Sequence, residues 1–313
     1  MLAQVDLSQV NPWSFTPHPE VWLLIGFLLV AYLYTMRVIG PRAVPAGTPV
    51  VTRRQIASFS AAIAVLWISS DWPIHDISED YLYSVHMVQH MSLSFWLPPL
   101  ALLATPEWLM RLLIGDGKVY RGAKFLTMPV VAALLFNGAT LLTHLPSLVN
   151  ASVSEGYWNG ALHYVLHVLV VSSALLMWMP VLGPIKEFQL GLLGKAIYLF
   201  AQSIVPTIPA AFLTFSESAV YEAYSRPIRL WGLSLAEDQQ LAGAIMKTMA
   251  GMYLWAIIIV YFVRYAKQFH TSHNYRRRRE IADGVLGDDP TSILTTADVE
   301  QVFARTSPVP EDR

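Results

Sequence analysis

The sequence predicts an all-α, polytopic transmembrane bundle of about seven helices, its N-terminus outside and its C-terminus in the cytoplasm. Three observations predict it. Of 313 residues, 54% are hydrophobic and only 14% charged, where soluble domains carry roughly 25% charged residues, and mean hydropathy is +0.44. Seven stretches are apolar and nearly free of charge, on the scale of the about 20 residues that cross roughly 30 Å of hydrocarbon at 1.5 Å per residue. The loops between them alternate between basic and acidic.

The first stretch lies between Glu20 and Arg37. Gln55 to Ser70 is the second, short and ended by Asp71. Tyr81 to Pro106 is the third. Phe125 to Ser154 contains the fourth, and Gly156 to Ile185 the fifth. Ala196 to Ser216 is the sixth. Gln239 to Val263 is the seventh, interrupted only by Lys247. Backbone groups in lipid must pair within the segment, and no alternation of short segments suggests a barrel, so these are helices. Pro98–Pro99 should bend or end the third, and Pro206 with Pro209 should kink the sixth.

Loop charge orients the bundle. Loop 1–2 carries Arg37, Arg42, Arg53 and Arg54; loop 3–4 carries Arg111, Lys118, Arg121 and Lys124; loop 5–6 carries Lys186 and Lys195. Loop 2–3 is purely acidic, with Asp71, Asp76, Glu79 and Asp80, and loop 4–5 holds Glu155 alone. Loop 6–7 is mixed, with Arg226 and Arg229 against Glu217, Glu222, Glu237 and Asp238. The positive-inside rule then places the N-terminus outside, and an odd number of spans agrees. Trp72, Trp158 and Trp231 fall at outer boundaries, as interfacial anchors do. Residues 1–20 read as an extracytoplasmic segment. No Lys or Arg precedes the first apolar run, so no secretory n-region is read there. Residues 21–268 form the transmembrane domain, and 269–313 a polar cytoplasmic tail of disordered composition. Its Arg276–Arg279 run suits anionic headgroups. A multi-pass place in a cell membrane is the expected setting. Lipid is the expected environment, and no nucleic-acid partner is expected.

With no cysteine, any metal must use His, Met, carboxylate or backbone ligands. No phosphate-cradling glycine loop is present. Seven of nine histidines precede the tail. His18 lies before the first helix and His75 in loop 2–3. His86 and His90 are four apart and share one face of the third helix; His163 and His167 repeat the spacing on the fifth. His144 ends the fourth. At 1.5 Å per residue, His90 lies about 14 Å and His167 about 10 Å below the outer boundary. Five imidazoles from three helices therefore share the outer third of the bilayer, and polar groups within a membrane tend to mark sites. Imidazole suits copper, zinc, iron and nickel, and thioethers shift the choice toward copper(I). Met87 and Met91 adjoin the histidines, and Met246, Met249 and Met252 lie on the seventh helix. Asp71, His75 and Asp76 form an outer group able to gather a cation. Lys247 either snorkels outward or faces the histidine layer. A lysine on a seventh helix also fits a retinal-type receptor, but the third helix offers no carboxylate counter-ion between Asp80 and Glu107. A transporter would want polar groups continuing into the inner half of the membrane.

The run His86-Met87-Val88-Gln89-His90-Met91, followed by Pro98-Pro99-Leu100, resembles the signature of the CtaG-type cytochrome c oxidase assembly proteins. So do Asp71-Trp72-Pro73-Ile74-His75, Thr143-His144-Leu145-Pro146, the His163/His167 pair, Trp178-Met179-Pro180-Val181-Leu182-Gly183-Pro184 and Asp238-Gln239-Gln240-Leu241-Ala242-Gly243. The resemblance covers about Ser69 to Arg264 and departs at Lys247, where an aromatic residue is expected. It implies seven helices and a role in maturing a haem–copper oxidase of the respiratory chain, by supplying copper to its buried copper centre. The chain would then be a metallochaperone rather than an enzyme. His86, His90, His144, His163 and His167 would hold copper, with Met87 and Met91 as thioether ligands. An oxidase subunit and an extracytoplasmic copper donor would be its partners. The alternative is a haem-binding electron carrier, since paired histidines on two helices also ligate haem iron.

Overall fold

The computed structural model describes residues 11–153, 157–225 and 228–282, with single positions 296, 300 and 304 beyond them. Glu155, Arg226, the first ten residues and nearly all of the expected tail past residue 282 lie outside the described residues. Among the described residues the structure is all helix and turn, with no strand.

Helix α1, Pro19–Tyr34, opens on a proline, whose missing N–H would have had no partner in a first turn anyway. It continues through a π-turn, Thr35–Ile39, to Ala43. α2, Arg53–Ser70, opens on a capping box: Thr52 Oγ1 accepts from Gln55 N–H at 3.3 Å, and Gln55 Oε1 accepts from Thr52 N–H at 2.8 Å. A short helix follows, α3, Ile74–Asp80. α4, Tyr83–Met91, carries His86 and His90. It passes through a π-turn, Ser92–Trp96, into α5, Leu97–Ala104. Pro98–Pro99 therefore neither ends nor sharply bends the helix; the widened turn precedes the two residues that cannot donate a backbone bond. The sharp bend, 96°, comes later, between Ala104 and α6, Glu107–Ile114.

α7, Lys118–Leu126, meets α8, Pro129–Thr143, at 69°. α9 is Pro146–Val153 and α10 is Tyr157–Leu182. α11, Leu192–Ile204, and α12, Thr207–Thr214, flank Pro206, where the sixth stretch breaks as expected. α13 runs from Leu235 to Ala282. The chain divides into two units. Met1–Ile259 holds the bundle, and Val260–Arg313 is helical to Ala282 in its described part.

Every one of the seven expected stretches falls on helix, but not every one has the length and apolarity to cross a bilayer. Four helices do: Pro19–Ala43, Gly160–Leu182, Leu192–Thr214 and Leu235–Arg277. The two bent pairs raise the number to six. α2, the second expected span, is not among them. Large apolar side chains on these helices face outward, Phe27, Val130 and Ile208 each about two-thirds exposed. Apolar surface of that extent suits lipid and not water. The chain is a multi-pass membrane protein.

Inside the bundle α2 packs on α5, and α10 packs on both α5 and α8. Trp178 of α10 is fully buried, and its Nε1–H donates to Ser94 O at 3.1 Å, inside the π-turn. At Gly243 α13 comes close to α12: a Cβ there would stand 2.6 Å from Ala210 O and 2.6 Å from Thr214 Oγ1. Only glycine permits that approach.

Candidate metal centre

The site begins with how α4 is held. The first N–H groups of any helix lack partners within it. Here they are met by Asp238, fully buried on α13: its carboxylate accepts from Tyr83 N–H at 2.8 Å and Ser84 N–H at 3.0 Å. A negative charge at a helix N-terminus is also favoured by the helix dipole. The neighbouring Gln239 ties down the connection between α12 and α13. Its Oε1 accepts from Val220 N–H at 2.7 Å, and its Nε2–H donates to Tyr221 O at 2.9 Å. Tyr221 then donates to His144 O, and Tyr224 to Ser78 O. The Asp238-Gln239 pair thus fixes the helix start and the loop that lies over the histidines.

All five expected histidines come together. Ring centroids are 4.5 Å apart for His86 and His90, and 4.4 Å for His163 and His167. Across α4 and α10, His86 lies 5.5 Å from His163 and 5.8 Å from His167, and His90 lies 4.9 Å from His167. His144 joins at 6.1 Å from His90. The ligand nitrogens of His86, His163 and His167 all lie within 4.8 Å of one another. Zinc-type bonds of about 2.0–2.1 Å would bring them to roughly 4 Å or less, a small ring rotation away. His86 Nδ1, His144 Nε2 and His167 Nε2 are buried without a hydrogen-bond partner. Such atoms are costly unless something binds them. His144 is set up for this: its Nδ1–H donates to Thr140 O at 2.7 Å, which leaves the Nε2 lone pair free.

The two expected thioethers differ. Met91 lines a small cavity with His90, His144 and Met246. Met87 is fully buried but does not line that cavity. Met252 is exposed and stands apart from it. Lys247 is exposed and donates to Thr207 Oγ1, outside the histidine layer.

The acidic group between α2 and α4 is not composed as its sequence suggests. Asp71 is occupied: Trp22 Nε1–H and Trp67 Nε1–H donate to Oδ2 at 2.9 and 2.6 Å, and Trp72 N–H to Oδ1 at 2.9 Å. Burial raises its pKa, but these bonds outweigh burial and hold it below the usual range. His18 takes its place. His18 Nε2 lies 2.7 Å from Asp76 Oδ1, and Nδ1 3.2 Å from Glu20 Oε1. Burial lowers its pKa, but Asp76 and then Glu20 outweigh that and raise it. His75 is pushed down, first by burial. Its Nδ1 accepts from Gln89 Nε2–H at 3.3 Å, and the same amide donates to Ser69 O at 2.7 Å. This is the place of Gln89 in the His-Met-x-Gln-His run.

Glu79 is the candidate site residue that sequence reading passes over. Its Oε1 lies 2.8 Å from His163 Nε2, at an off-angle approach, and 3.5 Å from His75 Nε2. Burial raises its pKa, and the adjacent His163 more than reverses this. Only its place in an acidic loop ahead of His86 signalled it. A groove of about 610 Å³ runs along α1, α2, α5 and α10, with Glu20, His75, Gln89, His163 and His167 at its polar end.

The family described as cytochrome c oxidase caa3 assembly factor matches residues 30–268, which include every histidine above except His18. The chain belongs to the cytochrome c oxidase caa3 assembly factor family. Uncharacterized mycobacterial proteins share lower similarity with it. One from Mycobacterium leprae is 26% identical over 226 residues, covering 66% of this chain and 33% of the relative. Relatives from Mycobacterium bovis and Mycobacterium tuberculosis are each 27% identical over 203 residues, covering 60% of this chain and 30% of theirs. The chain spans about a third of the length of these relatives. No solved structure gives a significant match. For this caa3 assembly factor family, the matched region holds α2 to α12 whole, with the Asp238-capped helix start and the His86–His163–His167 cluster inside it.

Proposed function

We propose that this chain is a seven-span assembly factor, N-terminus outside, in a bacterial inner membrane. It binds copper at the outer-face histidine layer and hands it to the buried copper centre of a haem–copper oxidase. It acts as a carrier and makes or breaks no covalent bond in a substrate. One observation carries the reading: nitrogens of His86, His163 and His167 converge within 4.8 Å, and the unpartnered His86 Nδ1 and His167 Nε2 are among the buried atoms there. His90, His144 and Met91 continue the donor set inward. Imidazole with a thioether suits copper(I), and a dry, cysteine-free setting suits an ion that must be released again.

Haem is the weaker reading. The rings of the two histidine pairs approach to 4.9–5.8 Å across α4 and α10. A macrocycle ligated on both faces needs a slot between its axial ligands, and rings in contact leave none.

The test is metal analysis of the purified wild type beside a His86→Ala/His90→Ala variant, with oxidase copper content measured in cells carrying each. The wild type should hold stoichiometric copper and support a fully loaded oxidase, and the variant should do neither. Normal oxidase loading by the variant would refute the proposal.

A further inference from the structure

Six of the seven histidines that precede the tail form one continuous series, and His86 packs beside it against His90, His163 and His167. His18 lies 4.9 Å from His75 between ring centroids, and His75 lies 6.2 Å from His163. His163 leads to His167 at 4.4 Å, His167 to His90 at 4.9 Å, and His90 to His144 at 6.1 Å. No step exceeds 6.2 Å between ring centroids. The outer half has its own carboxylates: Asp76 beside His18, and Glu79 bridging His75 and His163. Asp76 Oδ2 is buried without a partner, although its other oxygen holds His18. Glu79 is the most open of the four outer groups, its side chain 34% exposed against 13% for His18, 12% for Asp76 and 8% for His75.

The donors also change character along the series. Outermost are carboxylate oxygens mixed with imidazole. In the middle, at His86, His163 and His167, they are imidazole alone. At the inner end Met91 and Met246 line the cavity beside His90 and His144. Softness therefore increases inward, the direction that draws a copper(I) ion from a hard, wet surface toward a thioether-rich interior.

We infer that His18, Asp76, His75 and Glu79 form a loading station that accepts a metal cation at the outer surface and passes it through His163 to the core cluster. The inference rests on the copper-binding reading above. Asp71 is not part of the station: three N–H donors, from Trp22, Trp67 and Trp72, hold its carboxylate, whereas the partners of His18 are carboxylates that can themselves ligate a cation. The station sets how fast the core fills, and the core sets how much metal is held.

The test uses the purified full chain in nanodiscs, mixed with copper(I) held by a weak chromogenic chelator. Loading rate and final stoichiometry are read together for wild type, Glu79→Gln, His18→Gln/Asp76→Asn and the core variant His86→Ala/His167→Ala. Gel filtration and a thermal melt establish that each is folded; Glu79→Asp replaces Glu79→Gln if that variant is not. Outer variants should reach the wild-type stoichiometry at least tenfold more slowly, while the core variant loses the bound ion. Outer variants that load at the wild-type rate to the wild-type level would overturn the loading path and leave the core reading standing. A wild type that takes up no copper would overturn both.

Discussion

Asp238 accepts a hydrogen bond from the backbone N–H of Tyr83 at 2.8 Å, so a residue of the last helix caps the helix that carries His86 and His90. Its other oxygen takes Ser84 N–H, and Arg229 Nη2 stands 3.7 Å away. Asp238→Ala would leave two buried N–H groups and a nearby guanidinium uncompensated. Each buried donor left unsatisfied costs about 1–3 kcal/mol. Thermal unfolding of Asp238→Ala in detergent should fall clearly below wild type, and its metal stoichiometry should fall with it, because α4 sets the position of two of the histidines. Unchanged stability would show that the cap is not what holds α4.

Gly243 gives a second prediction of a different kind. A methyl group there would stand 2.6 Å from Ala210 O and 2.8 Å from Thr214 N, both backbone atoms of α12 that cannot swing aside. Gly243→Ala must push α12 and α13 apart, an overpacking cost of about 1–3 kcal/mol. Gly251 on the same helix has nothing within reach of an added Cβ. Gly251→Ala is therefore the control, and its melting temperature should equal or slightly exceed wild type, since alanine is favoured over glycine inside a helix by about 0.4–1 kcal/mol.

Met91 separates metal from metal. It is buried and lines the cavity shared by His90 and His144. Met91→Leu keeps the volume and removes the sulfur. If Met91 serves as a thioether ligand, the variant should fold normally and bind zinc(II) as wild type does. Its copper(I) affinity should drop about tenfold, since thioether selects the soft ion. Equal losses for both metals in competition titrations would mean that the sulfur plays no ligand part.

Much of this was legible in the sequence, for identifiable reasons. Hydropathy located seven helical stretches because an apolar run has few other stable states in lipid. The i, i+4 histidine spacing placed each pair on one face, and shared depth brought α4, α8 and α10 to one level. What failed to show were relationships with no local pattern. Glu79 meets His163 only because α3 folds against the N-terminal end of α10. Asp71 drops out of the group expected to gather a cation because Trp22 and Trp67, 45 residues apart in sequence, converge on the same carboxylate oxygen. Pro98–Pro99 carries a helix onward because the π-turn before it absorbs the strain, and a π-turn leaves no periodic mark.

Asp71 makes the pH dependence testable. Its carboxylate joins α1 to α2 through the Trp22 and Trp67 indoles, and those bonds hold its pKa in the folded chain below the ordinary value of 3.8. The sign follows. A group whose pKa is depressed by folding adds stability above its unfolded pKa, and that stability is lost as pH falls through the folded pKa. The contribution should be whole at neutral pH, begin to shrink near pH 4, and vanish once the folded carboxyl is protonated. The difference in melting temperature between wild type and Asp71→Asn should therefore be constant from neutral pH to about pH 5 and close below it. A net gain of about 1 kcal/mol for charge-assisted bonds predicts a gap of roughly 2–4 °C on the plateau. Asp71→Asn keeps one carbonyl acceptor, so metal stoichiometry should be unaffected, unlike that of the histidine variants. A gap that widened on acidification would mean that folding raises the Asp71 pKa instead of lowering it, so that burial and not the tryptophan bonds dominates there.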